Sequence, residues 1–390
     1  MSTAERSGTG EAGKNTEIED LIRARVSSRA QEWFPEVAPS PAVQIDILSR
    51  RPSCSLFVAR LGSGPGAPRI LAKARDASAR HDTAALASAG TTPRPTLGAG
   101  SLSPFEQTAV EFRALQAIRA LFGGDHPAFG AIRPLDWLAG EATILMDYVD
   151  AATLRRRVMG ELRVRRPSAS ADPRDALSWR RAGEWLRAFQ DAPTVQPLPA
   201  RQSTRDEVTE RFTAYHDYLA AQLGPRGVGD VARRGAALAA EVLPERLPLA
   251  VGHGDYAPRN MFVAADTRVT VFDPLPRWMV PRYEDLCRFM VSLRLLGVQV
   301  HTRGAAIDAR LIEEHELQVL SGYLGDDRSC LGQIRSYQLL ILLDKWSALV
   351  AASQSGRSLN RRVQRASLRL ASGYLRGQAQ RLLELAAQAG

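Results

Sequence analysis

"VGHGDYAPRNMFVAADTRVTVFDP", residues 251–274, is the stretch on which the fold turns. An apolar approach gives way to a polar run carrying His253, Asp255 and Asn260, and the chain then becomes apolar again. The apolar part reads as a hairpin. Met261–Val263 run out, Asp266 and Thr267 turn, and Val269–Phe272 return. Such a hairpin brings Asn260 and Asp273 close together. An amide oxygen and a carboxylate placed that way suit magnesium, which takes oxygen ligands alongside phosphate oxygens. Asp255, five residues before Asn260, comes within reach of an incoming hydroxyl. An Asp that positions a nucleophile, with an Asn and an Asp that hold metal, is the residue set of kinase-type phosphoryl transfer. The plainer alternative is a polar turn that encloses a buried histidine. The triplet His253-Gly254-Asp255 alone does not separate the two; the spacing of the whole set favours the first.

Composition sets the frame around this run. At 390 residues the chain is expected to form two lobes rather than one small core. Its 45% apolar and 24% charged residues are those of a soluble globular protein. No apolar run approaches the roughly 18 residues of a membrane span. "LLILL" (339–343) is followed at once by Asp344 and Lys345, which suits a buried core helix. Residues 1–15 are polar, lack an apolar signal region and read as a disordered tail, so a cytoplasmic location is expected. Cys54, Cys287 and Cys330 are few and far apart, fitting neither a disulfide framework nor a zinc site.

The net charge of +9 raises nucleic-acid binding, as do seven arginines without an acid between Arg357 and Arg381. No recognition helix, zinc spacing or aromatic RNA motif accompanies them, so specific nucleic-acid binding is not expected. Arg361, Arg365 and Arg369 read as the solvated face of a C-terminal helix. A more informative bias is that only Lys14, Lys73 and Lys345 among 51 basic residues are lysine. Where arginine is the default, a lysine suggests a need for a compact point charge.

The remaining elements give an α+β chain of two unequal lobes. After an amphipathic helix over 16–34, three strands are expected at 42–48, 54–61 and 69–75. "GSGPGAP" between the last two is read as a hairpin tip, because no helix follows it as a phosphate loop requires. Residues 76–103, rich in small residues and proline, look like a mobile insertion. Ser103, Pro104 and Glu106 then form a capping-box start, opening a helix that stops at Gly123-Gly124. A strand within 142–150 leads to helices expected at 178–191, 204–223, 229–243, 283–297, 309–324, 333–353 and 360–388. No internal repeat is visible.

Residues 251–288 resemble the aminoglycoside phosphotransferase and choline kinase-like family of small-molecule kinases, which share the protein-kinase-like two-lobed fold. The likeness continues in "RYEDLCRFM" (282–290), where Asp285 matches the family's loop-bracing aspartate and Leu286, Phe289, Met290 and Leu293 form a buried side. An ordinary acid at a helix N-terminus is the alternative for Asp285. The resemblance implies a nucleotide-binding lobe over 16–146 and a helical catalytic lobe over 147–390. It further implies a lysine in the third strand that holds the nucleotide α- and β-phosphates, and Lys73 in "RILAKAR" is there. Its expected partner is Glu111, on an inward stripe with Leu115, Ile118 and Phe122, since Glu106 serves the cap. A solvated glutamate at the stripe's edge is the alternative.

The family's adenine-binding hinge falls at "ILMDYVD", with backbone groups of Asp147 and Tyr148. "GEWLRAFQDAP" (183–193) resembles the helix beneath the catalytic loop, with Gln190 where a histidine is common. The phosphate-covering turn "SRRPSC" (49–54) departs from the pattern: it has no glycine, leaving backbone amides of Ser53 and Cys54 to cap phosphate.

These implications amount to an ATP- and Mg²⁺-dependent phosphotransferase acting on a small-molecule hydroxyl. Asp255 orients the hydroxyl, Asn260 and Asp273 hold the metal, and His253 and Asp285 support the loop. A catalytically weak nucleotide-binding pseudokinase is the alternative. A protein kinase is disfavoured, because only twelve residues separate Asp273 from Asp285. The acceptor stays open. "IEEHE" (312–316) and "GDD" (325–327) could serve an aminoglycoside, Trp278 and Tyr283 a choline, and the many arginines a phosphorylated or acidic sugar. The histidines at 81, 126, 216, 301 and 315 carry no assigned role.

Overall fold

The computed structural model describes residues 8–51, 53–76, 93–97, 102–161, 173–192, 197–355 and 361–388. The chain falls into two compact units. The first begins with helix α1 (Gly8–Trp33), followed by strands β1 (Val43–Arg51), β2 (Cys54–Leu61) and β3 (Arg69–Arg75). Helix α2 (Pro104–Phe122) comes next, then β5 (Pro134–Leu138) and β6 (Thr143–Asp147), while the intervening β4 (Phe129–Gly130) belongs to the second unit. Five of these strands form one antiparallel sheet in the order β1-β2-β3-β6-β5.

Period-two alternation along β3 decides what each face does. Ile70, Ala72 and Ala74 are buried and pack in one cluster with Ile22, Val26, Ala30 and Trp33, the apolar stripe of α1. Lys73 and Arg75 therefore face the other way. The α2 start is a complete capping box: the Ser103 hydroxyl accepts the Glu106 N–H, and the Glu106 carboxylate accepts the Ser103 N–H. Its buried stripe carries Glu111, Leu115, Ile118 and Phe122.

Besides β4, the second unit holds β7 (Ala152–Thr153) and helices α3 (Leu154–Glu161), α4 (Pro173–Asp191), α5 (Arg205–Leu223), α6 (Pro225–Val228) and α7 (Val231–Val242). Strands β8 (Leu249–Val251), β9 (Met261–Val263), β10 (Val269–Val271) and β11 (Met279–Pro281) come after them. Helices α8 (Glu284–Arg294), α9 (Gly297–Thr302), α10 (Ala309–Leu324), α11 (Leu331–Ser355) and α12 (Arg361–Ala387) complete it. A four-stranded sheet, β4-β10-β9-β7, and the pair β11-β8 carry the loop of interest. Beneath them α4 and α10 approach closely. A Cβ at Gly183 would lie 2.0 Å from the Val319 carbonyl oxygen, and one at Gly322 would lie 1.9 Å from that of Arg180. Leu339–Leu343 on α11 are fully buried, as a core helix requires.

Four expectations need correction. Helix α1 starts at Gly8, inside the stretch read as a tail, while residues 1–7 lie outside the described residues. The unit boundary falls after Asp150 rather than at residue 147. Residues 93–97 and 124–130 belong to the second unit, because β4 pairs with β10 and Arg94 bonds to Asp344 and Ser347. Within the expected insertion, 77–92 and 98–101 lie outside the described residues. The six-residue turn at 49–54 shrinks, since Ser49–Arg51 stay in β1, Arg51 pairs with Cys54, and only residues 52 and 53 connect the strands. Among the described residues no helix is long and apolar enough to cross a membrane.

Candidate active site

In the first unit Lys73 and Glu111 meet. The Lys73 ammonium donates to both Glu111 oxygens at 2.8 Å, and the Glu111 side chain is only 2% exposed. The Arg75 guanidinium donates to the same carboxylate at 2.6 Å and to the Gln107 side chain at 3.0 Å. One buried carboxylate thus holds two cations. Lys73 and Arg75 are two apart on one strand, so the sharing follows from the pleat. Sequence reading missed Arg75, although its place on the Lys73 face was available in the alternation.

Farther along, the Asp147 N–H donates to the Arg133 carbonyl at 3.0 Å and the Tyr148 N–H to that of Arg69 at 3.1 Å. The backbone donors of the expected hinge are therefore engaged within the unit. The Asp147 carboxylate accepts from the Arg133 guanidinium at 3.0–3.2 Å, and the Arg69 guanidinium lies 4.4 Å from the Tyr148 ring centre. Ser53 is exposed, and its carbonyl accepts the Asp76 N–H at 3.1 Å.

In the second unit the hairpin forms in the expected register, with Val271 opposite Met261. The Phe272 N–H donates to the Asn260 carbonyl at 3.0 Å, which places Asn260 and Asp273 side by side at the hairpin mouth. The Asn260 amide donates to the Asp255 backbone carbonyl at 2.9 Å and to its Oδ2 at 2.7 Å. Both amide protons being spent there, its carbonyl oxygen is the atom left for a cation. Asp273 has φ 62°, a left-handed conformation that a non-glycine residue holds only under constraint and that concentrates at functional sites. An amide oxygen and a carboxylate oxygen are the donor chemistry that magnesium accepts, so these residues fit that metal.

The loop before the hairpin is fixed from behind. Buried Asp285, on the first turn of α8, accepts the His253 N–H at 2.5 Å. Burial, reinforced by neighbouring Glu284, pushes the Asp285 carboxyl up to about 6 against the backbone bonds of His253 and Gly254. The His253 carbonyl accepts the Leu275 N–H at 2.7 Å, tying the chain after Asp273 to the loop. Gly254 has φ 87°, and a Cβ there would lie 2.5 Å from the Leu275 carbonyl oxygen, so only glycine fits. The His253 ring sits among Trp185, Phe189 and Tyr256, with centroids 5.6–6.0 Å away. Its Nδ1 accepts the Asp255 N–H at 3.4 Å, while its buried Nε2 has no partner among the described residues. Burial pushes His253 down to about 4 despite the pull of Asp255 and Asp273, so it is a neutral packing and hydrogen-bonding group. The Tyr256 hydroxyl donates to the Ala182 carbonyl on α4 at 2.6 Å, and Gln190 joins Tyr323 and the Arg282 carbonyl.

Two features here lay beyond the sequence reading. Arg259, four residues after Asp255, makes an ion pair with Asp255 Oδ1. A cavity of about 480 Å³ opens beside Gly252 and Gly254, walled by Leu275, Trp278 and Val280 and by side chains from residues 94–97 and 344–348. Of the acidic runs that could have served a cationic acceptor, three acids have other partners. Glu316 is buried between Arg294 and Arg335, Glu313 pairs with Arg381, and Asp327 caps the Ser329 N–H.

Comparison with known proteins places this geometry. Residues 63–288, more than half of the chain, match the family described as "Phosphotransferase enzyme family". No curated protein matches the chain. A choline/ethanolamine kinase family protein from Mesorhizobium loti superposes with a TM-score of 0.52 at 14% identity, covering 95% of this chain and 99% of that one. A thermostable mutant of aminoglycoside phosphotransferase APH(4)-Ia, in a ternary complex with AMP-PNP and hygromycin B, gives 0.50 at 12% identity, covering 92% and 99%. An ethanolamine kinase from Plasmodium vivax gives 0.50 at 9% identity, covering 93% and 88%. At such identities the likeness is one of fold, the protein-kinase-like architecture of small-molecule kinases. With the family match spanning β3, α2 and the whole loop from His253 to Asp285, the chain belongs to the phosphotransferase enzyme family.

Proposed function

We propose that the protein is an ATP- and Mg²⁺-dependent kinase that moves the γ-phosphate to a hydroxyl of a small molecule. The observation that carries this is the junction of Asp255, Asn260 and Asp273 on one loop and hairpin, braced by Asp285. The AMP-PNP held by the aminoglycoside phosphotransferase supports the choice of nucleotide.

In this reading the first unit binds the nucleotide. Lys73, held by Glu111, contacts the α- and β-phosphates, backbone at Ser53 caps phosphate, and backbone groups at Asp147 and Tyr148 meet the adenine. The second unit carries catalysis. Asn260 and Asp273 hold the metal, which when bound neutralises charge on the phosphate oxygens. Asp255 accepts a hydrogen bond from the acceptor hydroxyl and orients its oxygen toward the γ-phosphorus. The new P–O bond forms as the bridging bond to the β-phosphate breaks, and the hydroxyl proton passes to Asp255 as ADP leaves. Positioning outweighs early deprotonation, because phosphoryl transfer of this kind is accelerated mainly by orientation and charge stabilisation. His253 and Asp285 act only through the loop they hold. Three free cysteines suit a reducing cytoplasm.

One observation favours a second reading, a nucleotide-binding pseudokinase. Both Asp255 oxygens are engaged, by Arg259 and by Asn260, and the turn after β1 is short and lacks glycine. Acceptor-dependent ADP release by the wild type, reduced by about 10²–10⁴-fold in Asp255→Ala, establishes the enzyme. Tight AMP-PNP binding without turnover on any acceptor establishes the pseudokinase. Absence of nucleotide binding refutes both.

A further inference from the structure

We infer that the cavity beside Gly252 and Gly254 receives the acceptor, and that this acceptor carries a phosphate or carboxylate besides the hydroxyl that reacts. The inference rests on the kinase reading and names the substrate class of that site.

Charge and its compensation decide the matter. Five cationic side chains line the cavity: Arg94, Arg201, Arg277, Arg288 and Lys345. Three acids face them, Glu284, Asp285 and Asp344, and each is already committed. Glu284, 2% exposed, takes Arg201 at 2.5 Å and Arg288 at 2.7 Å and lies 3.3 Å from the Tyr337 hydroxyl. Asp344 takes Arg94 and the Tyr215 hydroxyl, both at 2.8 Å. Asp285 holds the backbone of the catalytic loop. Among the described residues that line the cavity no acid is left to meet an ammonium group, so a choline-like or aminoglycoside-like acceptor would find no counter-charge there.

An anion finds the opposite. Lys345 is exposed, lines the cavity and has no salt-bridge partner among the described residues. Burial of its surroundings and the charge of Arg288 push its ammonium below the usual lysine range, against the pull of Asp344 and Asp255. Gly254, the residue before Asp255, lines the same cavity as Lys345, so a charge held at Lys345 lies near the reacting end. A compact lysine at this position, in a chain that otherwise uses arginine, fits recognition of a phosphate or carboxylate as a point charge. On the other wall the Arg277 guanidinium lies 6.0 Å from the Trp278 ring centre, next to Leu275 and Val280. That wall suits the carbon skeleton of a sugar or short hydroxy acid. A volume of about 480 Å³ accommodates a ligand of that size.

Calorimetry tests the assignment. Protein saturated with Mg²⁺ and AMP-PNP is titrated with glucose 6-phosphate, 3-phosphoglycerate, glycerate, inorganic phosphate, glucose, choline and ethanolamine. Saturable binding of a phosphate- or carboxylate-bearing probe, tighter than any neutral or cationic one, is the expected result. Lys345→Gln and, separately, Arg277→Gln should each weaken it by about tenfold to a hundredfold. Comparing glycerate with the phosphate esters tells carboxylate from phosphate. Binding confined to glucose, choline or ethanolamine overturns the inference and leaves the kinase reading standing. So does binding of no anion, or an anion affinity unchanged in both variants. Failure of AMP-PNP to bind overturns the kinase reading instead, and the anion titration of wild type and Lys345→Gln without nucleotide still decides the cavity.

Discussion

Glu111→Ala should destabilise the first unit more than Lys73→Met, although both break the same ion pair. The Glu111 carboxylate holds Lys73 at 2.8 Å and Arg75 at 2.6 Å, and both cations are only 12% exposed. Deleting the carboxylate takes from two largely desolvated cations the buried acceptor that they share. Removing one partner of a buried pair costs about 3–5 kcal/mol. Lys73→Met leaves Glu111 with Arg75, which Gln107 also supports, and the Met stem keeps much of the packing. The loss there is that of a charge-assisted hydrogen bond partly compensated by the remaining partner, about 1–2 kcal/mol. Native-state hydrogen exchange of the β3 and β6 amides reads the first unit separately from the second. The expected gap between the variants is about 2–3 kcal/mol, the difference of those two costs. Nucleotide affinity should move the other way, with Lys73→Met the weaker binder because the phosphate contact itself is gone. Equal destabilisation by the two substitutions would refute the shared carboxylate.

The loop supplies three further outcomes. Gly254→Ala forces a Cβ against the Leu275 carbonyl at positive φ, and should cost about 1–3 kcal/mol while lowering turnover; an unaffected variant in thermal melts and steady-state kinetics would mean the loop relaxes freely. His253 is held neutral down to about pH 4, whereas the unfolded chain takes up its proton near pH 6.5. Stability from this group is therefore complete above pH 6.5 and lost as pH falls toward 4, up to about 3 kcal/mol. Asp285, whose carboxyl is raised to about 6, works the other way over the same range, so the test is the difference between proteins: urea midpoints at pH 7 and about pH 4.5 should fall more, or rise less, in the wild type than in His253→Asn, and equal changes contradict it. Arg259→Ala should change stability by less than about 0.5 kcal/mol, since the partners are 45% and 37% exposed. Its kcat should fall about tenfold as Asp255 loses one restraint, a loss of orientation alone. A wild-type kcat would show that Asn260 suffices.

What the sequence revealed and what it concealed divide by range. Strands β2 and β3 end where alternation and the glycine-rich tip end, and the Ser103–Glu106 box marks the helix start to the residue. The Asp255, Asn260 and Asp273 junction was legible because a hairpin converts sequence spacing into proximity. Lys73 and Glu111, 38 residues apart, were joined by two local signals, a rare lysine on a strand and an acid on an apolar stripe. The cavity gave no such signal. Arg94 and Asp344 meet across 250 positions, and nothing local to either tells of the other. The acidic "IEEHE" left two readings open, an acceptor pocket or ordinary helix charges, for a related reason: Glu316 answers two arginines that only tertiary packing brings to it. Arg259 was hidden by its surroundings, one arginine among many.

In the proposed mechanism the Asn260 side chain belongs at once to the metal end and to the nucleophile end of the site, since the amide whose oxygen is left for a cation spends its protons on Asp255. The reacting groups thus form one mechanical piece, in which no member can be retuned alone. The wall of the cavity is assembled differently, from the segment at 94–97, the stretch at 275–280 and the face of α11. The side chains at 94–97 and on α11 lie outside the hairpin. A chain built this way can exchange one acceptor for another over evolutionary time while its chemistry stays fixed, and the same division marks where an engineer should cut.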